Sequence, residues 1–309
     1  MITIIGGTGM LGGHLCRELR AGGFPVRVMT RNPERARALE QSGVELTRGD
    51  LRDPSSLHAA LSGARVVISA SHALLGGRAN SSAQVDDAGQ RTLIDAAKRA
   101  GVEHFVFVSA LGAAPDHAVD FWRTKWRIEQ YLKASGLPHT IVRPSAFMDM
   151  HAYELLGKPV LQDKRVAISG AGTNARNFVA AEDVARLIAL HVQPGATPCE
   201  IIEIGGPQNL SSLQVVRVFE TFGKKSAKAL HLPLSVLRTL SAVITSFHPG
   251  VGRVMRAAAV FETTDQAFDA APLTSGFSFP LMTLEQWVQK NCSPPRGLEN
   301  RPLPPGAEA

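Results

Sequence analysis

The sequence predicts an α/β fold: a doubly wound parallel sheet with a smaller, mainly helical C-terminal lobe. Three observations predict it. Short β-branched runs, "ITII", "VRVMT", "VELTR", "RVVISA", "HFVFVS" and "TIVR", recur from the first residues onward. Segments with apolar residues at helical spacing, such as Leu11, Leu15 and Leu19, lie between them. The runs are continuously apolar, as in strands covered by helices on both faces. With 309 residues, 44% of them hydrophobic and 19% charged, the chain is long and apolar enough to bury a sizeable core.

The first strand, "MITII", runs straight into "GGTGMLGGHL". Gly6, Gly9 and Gly12 form G-x-x-G-x-x-G, and Gly7, Gly9 and Gly12 form G-x-G-x-x-G. Between a strand and a helix, either spacing marks a dinucleotide-binding turn of the Rossmann type. Glycine allows the backbone angles of the tight turn. Bare N–H groups at the helix N-terminus can then meet a pyrophosphate, which the helix dipole favours.

The second strand ends in "VRVMTRNP". NAD sites place an acid there to bind the ribose 2′-OH. No acid occurs from Gly23 through Pro33; Arg31 occupies the place, beside Thr30. Arg31 can pair a 2′-phosphate, helped by Arg35 or Arg37, which favours NADP(H) over NAD(H). The alternative is a merely solvated arginine. Asn32-Pro33 reads as an N-cap and first-turn proline, with the helix ending at Gly43; Asp53-Pro54 repeats the device and ends at Gly63.

Beyond Pro144 the rhythm loosens. "RVAISGAGTNARNFVAAEDVARLIALHV" predicts a short strand, a glycine turn and a helix; "EIIEIGG" predicts another strand, and the rest is mainly helical to Lys290. The boundaries expected are 1–150 for the dinucleotide-binding domain and 151–292 for a lobe interleaved with its sheet. Such a lobe sits over the carboxyl ends of the strands, where open α/β sheets bind ligands. Residues 293–309, with five prolines, are expected to be disordered. The apolar stretch Leu232–Phe247 is too short to span a membrane. It reads as a buried or lid helix, or as a helix for a partner or membrane surface.

Several classes are excluded. Cys16, Cys199 and Cys292 are distant and odd in number, against a disulfide framework or zinc site and in favour of a reducing compartment. The net charge of +6 is spread rather than blocked, so nucleic acid is not implied; the local excess is Arg27, Arg31, Arg35 and Arg37 against Glu34. The first strand begins at Ile2 with no leader before it, so a cytoplasmic location is expected.

Together "GGTGMLG", "VRVMTRNP", "GVELTRGDLRDPSSL", "LIDAAKRAGVEHFVFVS" and "RTKWRIEQYLKASGLPHTIVRPSAFM" resemble the atypical short-chain dehydrogenase/reductases. The NmrA-like branch is nearest, with its quinone-reductase, isoflavone-reductase-like and photosystem-assembly relatives. The likeness covers roughly residues 1–192. It implies that Gly6, Thr8, Gly9, Met10, Leu11 and Gly12 line the pyrophosphate, and that Asp50 and Leu51 flank the adenine. It also implies that Ser69 and Ala70 pass the nearer ribose, and that Ser109 stands at the active-site serine position. Lys125 then holds the nicotinamide ribose, and Pro144, Ser145 and Phe147 border the nicotinamide. Ser109 as a turn residue and Lys125 as an exposed helix lysine are the plainer alternatives.

One departure matters. The wider superfamily uses Tyr-x-x-x-Lys, whereas here "FWRTK" puts Phe121 at the tyrosine position. A phenyl ring has no proton to give, and a placed general acid contributes roughly 10²–10⁴-fold. Tyr131, six residues past Lys125, falls on another face of that helix and reads as structural. Tyr153 and His151, in "MDMHAYELLG", are candidates for the substrate pocket or for packing; Trp122 and Trp126 are either core, dimer interface or pocket wall. A quinone or enone tolerates the missing acid because its reduced anion is delocalised. The expected function is therefore NADPH-dependent reduction of a quinone-, enone- or aromatic-type small molecule, with Lys125, Ser109, Tyr153 and His151 as catalytic candidates. The competing expectation is a non-catalytic NADP(H)-binding sensor or assembly factor with a protein partner or homodimer. Epimerase or lyase chemistry on the same scaffold is a third.

Overall fold

A computed structural model describes residues 1–77, 80–198, 201–270 and 279–292. Cys199 and the proline-rich 293–309 lie outside them.

The chain opens β1 (Ile2–Ile5), α1 (Met10–Ala21), β2 (Val26–Thr30), α2 (Arg37–Gln41), β3 (Glu45–Arg48), α3 (Pro54–Leu61) and β4 (Val66–Ser69). A π-helical turn, Ala83–Gly89, then runs into α4 (Gln90–Arg99). β5 (His104–Val108), α5 (Asp120–Ala134) and β6 (His139–Pro144) follow. These strands, with β10 (Ile201–Ile204) added beyond β6, make one seven-stranded sheet in the order β10-β6-β5-β4-β1-β2-β3, every pair parallel. The strand order reverses at β1, which opens a crevice between β1 and β4 at their carboxyl ends.

Both sheet faces are covered, as continuously apolar strands require. On one face α1 supplies Leu11, Leu15 and Leu19, and α7 (Ala181–His191) supplies Val184, Leu187 and Ile188. On the other, α3, α4 and α5 supply Leu57, Leu61, Leu93, Ile94, Ile128 and Leu132. Each fully buried leucine contributes about 2 kcal/mol of transfer free energy.

The lobe is built from short pieces. β7 (Ala146–Phe147) leads into a π-helical segment, Met148–Gly157, and α6 (Lys158–Leu161). β8 (Arg165–Ser169) pairs in parallel with β12 (Lys228–Leu232), and β9 (Ala175–Val179) lies between β7 and β11 (Asn209–Ser211). α8 (Ser212–Gly223) carries a capping box between Ser211 and Gln214. Its Val215 and Phe219 pack with Met148, Leu156, Phe178 and Trp287, the last from α11 (Leu284–Cys292). α9 (Leu234–Thr245) and α10 (Pro249–Phe261) form an antiparallel hairpin.

Three local expectations are corrected. The helix expected from Asn32 to Gly43 is a 3-10 turn, Pro33–Arg35, followed by the five-residue α2, and the Asn32 side chain caps nothing. "ERARALEQS" buries only Ala36, so no apolar face holds a longer helix together. The Asp53-Pro54 device forms as read: Asp53 accepts the Ser55 N–H, and Gly63 sits at φ +67°. Second, β9 forms where only a turn and a helix were read; five residues paired with strands of two and three leave little periodicity. Third, Leu232–Phe247 is not a buried helix, since in α9 only Leu237 and Ser241 are buried. Val236, Leu240, Val243 and Phe247, one stripe at helical spacing, are exposed, Phe247 to 77%.

The glycine loop gives a test with opposite signs. A Cβ on Gly12 would lie 2.2 Å from the Gly6 carbonyl oxygen and 2.5 Å from the Gly7 Cα, both backbone. A Cβ on Gly13, also in α1, meets nothing nearer than Arg17 Nη1 at 3.9 Å. Gly12→Ala is expected to lower the melting temperature. Gly13→Ala is expected to raise it, a helix-interior glycine costing about 1 kcal/mol relative to alanine. Thermal unfolding of both variants checks the pair.

Candidate functional site

The crevice between β1 and β4 is lined first by the glycine loop, whose glycines have different causes. Gly6 has φ +89° and packs against the backbone of Ala70 and Ser71, where a Cβ would lie 2.8 Å from the Ser71 nitrogen. Gly7 has no room beside the Val28 side chain, and Gly12 none beside Gly6 and Gly7. Packing therefore demands three of them. Gly9 is different: an added Cβ meets only the Gly6 oxygen, at 3.3 Å, and the residue is exposed along with Thr8 and Met10. Gly9 is also the N-cap of α1, without a side-chain cap and without an acid in the first turn. Orphan N–H groups at an uncapped, acid-free helix start make an anion-binding end. The bare loop fits a pyrophosphate.

Arg31 stands directly after β2, exposed, and donates to Asn80 Oδ1 at 2.9 Å. Asp50 lies close enough for Arg31 to help hold its carboxyl below the usual range, though its hydrogen bond from Arg52 does most. Arg48 donates to the Arg31 carbonyl and pairs with Glu34. Arg31, Arg48 and Arg52 thus collect around one corner, while Arg27 is spent on Glu45 and the carbonyls of Ala60 and Ser62. Leu51 is buried and Asp50 half-buried. Ser69 corrects an expectation: it is wholly buried and donates to Gln90 Oε1 at 2.7 Å, so it supports the crevice floor rather than facing a ribose. Gln90 in turn donates to Ser71 Oγ, which steadies the strand end beside Ala70.

The carboxyl end of β5 carries the other half of the site. Lys125 on α5 is buried, and its Nζ donates to the Val108 carbonyl at 2.8 Å. The ammonium lies 4.8 Å from the Phe107 ring and 5.5 Å from the Phe121 ring. Burial pushes its pKa down, and Asp86 and Glu129 oppose that. Lys125 is therefore not an exposed helix lysine. Ser109, expected as a catalytic candidate, has its hydroxyl donating to Glu129 Oε1, which commits its one proton. Glu129 is fully buried and takes a two-pronged pair from Arg143, at 2.9 and 2.6 Å. Sequence reading missed Glu129, although Lys125 and Glu129 stand four apart on one helix face.

Phe121 is buried where the superfamily has its tyrosine. His72, in the loop after β4, meets its ring edge-on at 6.1 Å. The Leu74 N–H donates to His72 Nδ1, which leaves the ring proton on Nε2. His72 keeps much of its ring accessible, while the groups packed around it and Lys125 push its pKa down. The aromatic row runs Phe121–Trp122–Phe261, with ring centroids 5.3 Å apart at each step, and not through the half-buried Trp126. Trp122 also donates to the Leu111 carbonyl. Tyr131 bonds Asp95 on α4, a structural tie.

Of the two lobe candidates, one stays and one leaves. His151 lies close to His72 and Arg176, with its Nδ1 sealed from solvent. Tyr153 packs instead against Phe219 and Trp287 in the lobe core, so it is corrected to a packing residue. Pro144 is buried at the end of β6, Ser145 donates to Asn177, and Phe147 packs against the core beneath α1 and α7. A cleft of about 410 Å³ lies on a different face of α5, along Asp120, Thr124 and Arg127. Its charges are paired with one another: Asp87 with Arg91 and Arg127, and Asp120 with Arg253. Among the described residues no cluster of His, Cys, Asp and Glu could hold a metal, and no helix is long and apolar enough to cross a membrane.

The comparisons with known proteins agree with this architecture. The NmrA-like family model matches residues 1–291. A photosystem II assembly factor, Ycf39 of Cyanophora paradoxa, is 32% identical over 76% of this chain and 73% of its own. An NAD(P)H azoreductase of Xenophilus azovorans is 31% identical over 70% of this chain and 71% of its own. Among solved structures, an NADPH-dependent quinone oxidoreductase of Escherichia coli in complex with NADPH superposes with a TM-score of 0.75. It covers 95% of this chain and 100% of that one, at 23% identity, a likeness of fold. The chain belongs to the NmrA-like family.

Buried imidazoles make the fold acid-sensitive. His104, bonded to Thr140, and His151 are both pushed down to about 4 from 6.5, chiefly by burial. Between those values the unfolded chain binds protons that the folded chain does not. Their stabilisation is complete above pH 6.5 and is lost as the pH falls towards 4. The urea midpoint is expected to drop between pH 7 and pH 5, with a shallower drop in His104→Asn. Equal slopes in the two proteins would remove His104 from the account.

Proposed function

We propose that this NmrA-like protein is an NADPH-dependent reductase of quinone-, enone- or aromatic-type small molecules. The observation that carries the reading is Lys125, an ammonium buried at the carboxyl end of β5 beside the Phe107 and Phe121 rings and close enough to His72 to act on it. A lysine so placed is costly to the fold unless its charge is used.

A bound NADPH would supply the hydride. Thr8, Gly9, Met10 and the N-terminus of α1 would hold its pyrophosphate, with Gly6, Leu11 and Gly12 shaping the turn. Arg31 would take the 2′-phosphate, as the fork of donors on an arginine suits it. Asp50 and Leu51 would flank the adenine, Ala70 the nearer ribose, and Pro144, Ser145 and Phe147 the nicotinamide side. Lys125 serves two ends here: it can hold a ribose hydroxyl and stabilise negative charge growing on a substrate oxygen. Phe121 can donate nothing, which suits an acceptor whose reduced anion is already delocalised. Nε2 of His72 can give a hydrogen bond to the reduced oxygen, which takes its proton from water. The azoreductase and quinone oxidoreductase among its relatives and structural neighbours act on acceptors of this kind by their names, which supports the reading.

A second reading is favoured by one specific observation, the exposed apolar stripe Val236, Leu240, Val243 and Phe247 on α9. Contiguous apolar surface of this kind marks interaction sites. It suits a cofactor-binding assembly or regulatory factor, the role named for the Ycf39 relatives. A homodimer and a cytoplasmic location remain part of the proposal.

Calorimetry with NADPH, followed by its oxidation against a panel of quinones, enones and azo compounds, separates the two. Tight binding with multiple turnovers is the expected result; tight binding with none on the whole panel favours the second reading. Arg31→Ala is expected to weaken NADPH about 10–100-fold, the worth of charge-assisted hydrogen bonds of roughly 1.5–3 kcal/mol, and NADH little. Equal losses for both would mean that Arg31 does not read the 2′-phosphate.

A further inference from the structure

Arg176, on β9, is a half-buried arginine with no ion pair among the described residues. Arg143 pairs with Glu129 and Glu203, and Arg253 pairs through two nitrogens with Asp120. The Arg176 Nε is sealed from solvent without a hydrogen-bond partner, and burial pushes the group's pKa down to about 10. The nearest carboxylate, Glu262, forms no ion pair with it and is engaged by the backbone of Gly172 and Asn174 and by Ser212. Partly burying an unpaired charge is costly, and folds tolerate it chiefly where a ligand completes the pair.

The surroundings say what kind of ligand. The guanidinium lies over the Phe178 ring at 4.9 Å and within 6.0 Å of the Phe261 ring, which hold its faces and leave its N–H edge for a partner. His151 lies beside it: its Nδ1 is sealed from solvent, its ring is held near the Phe147 backbone, and Arg176 acts on it electrostatically. Phe261 is the far end of the row that begins at Phe121 beside Lys125. One wall therefore runs from Lys125 to an unpaired cation. From this geometry we infer that Arg176, with His151 beside it, is a substrate-anion subsite. It takes a carboxylate or sulfonate carried by an aromatic acceptor at the end away from the reducible group. The inference rests on the reductase reading for its substrate, but the subsite can be tested as a binding site alone.

The test compares 1,4-naphthoquinone-2-sulfonate with the neutral menadione in wild type, Arg176→Met and Arg176→Lys, with NADPH as donor. In Arg176→Met the KM for the sulfonate is expected to rise 10–100-fold, and menadione kinetics to change less than threefold. Arg176→Lys is expected to recover part of the loss. Equal changes for both quinones, or none, would overturn the subsite. If neither quinone is turned over, the reductase reading has failed by itself. Calorimetry of naphthalene-2-sulfonate against 2-naphthalenemethanol on the NADP⁺-loaded protein then decides the subsite. Sulfonate binding lost in Arg176→Met supports it, and binding that is absent or unchanged ends it. The melting temperature guards against misfolding: removing an unpaired, half-buried charge should leave it equal or higher, whereas an arginine that only supports the fold would lower it.

Discussion

The buried pair between Glu129 and Arg143 sets the geometry on which the site depends. Glu129 is sealed inside, and its two oxygens accept both Arg143 donors and the Ser109 hydroxyl. Such a pair gains little net stability over an apolar alternative, because desolvating both charges offsets their attraction. What it does is fix position, since removing one partner would strand the other. Through it, α5 is tied to β6 by Arg143 and to the end of β5 by Ser109. The same helix carries Lys125 one turn earlier and Phe121 two turns earlier. Lys125 reaches the Val108 carbonyl because the helix cannot slide. Ser109 is thus part of the framework, and its hydroxyl is not left for chemistry.

Electrostatics then divides the crevice into two ends. At the phosphate end, an uncapped helix start without acids meets Arg31, Arg48 and Arg52 in partly solvated surroundings. At the other end stand one buried ammonium and one half-buried guanidinium, each depressed first by burial. Asp86 and Glu129 oppose the shift at Lys125, whereas Arg176 has only a distant Glu262. The two cations therefore differ in kind. Lys125 is a charge the protein balances internally and can lend to a reacting oxygen. Arg176 is a charge the protein leaves for something else to balance.

Much of this was legible in the sequence, and the limits have physical causes. The doubly wound sheet shows because buried parallel strands are long apolar runs separated by amphipathic helices. Gly6, Gly7, Gly9 and Gly12 are readable as a loop, but sequence does not say that packing demands Gly6, Gly7 and Gly12 while leaving Gly9 without that reason. Phe121 was visible as a substitution only because Lys125 follows at fixed spacing on one helix. Ser69 and Tyr153 were misplaced because position at a strand end, or after it, does not reveal which way a side chain turns. His72, Glu129 and Arg176 come from three separate elements brought together by topology, and none has a local pattern that announces it. The α9 stripe was written in the sequence as apolar residues at helical spacing, which looks the same whether the face points in or out.

The enzyme and partner readings also meet in one structural element. The exposed stripe lies on α9, which packs along α10. α10 is fastened to the surroundings of Lys125 by Arg253, which pairs with Asp120 at the start of α5 and donates to the Leu74 carbonyl. Asp120 precedes Phe121, and Leu74 is the residue whose N–H holds His72. Gly250 packs directly on the Leu75 backbone, with no space for a side chain between them. Phe261, the last residue of α10, closes the aromatic row and faces Arg176. A body seated on the stripe would thus press on a hairpin whose other helix holds the Asp120 end of α5, the His72 loop and Phe261. The exposed stripe and the surroundings of Lys125 are, in this fold, joined through the same pair of helices.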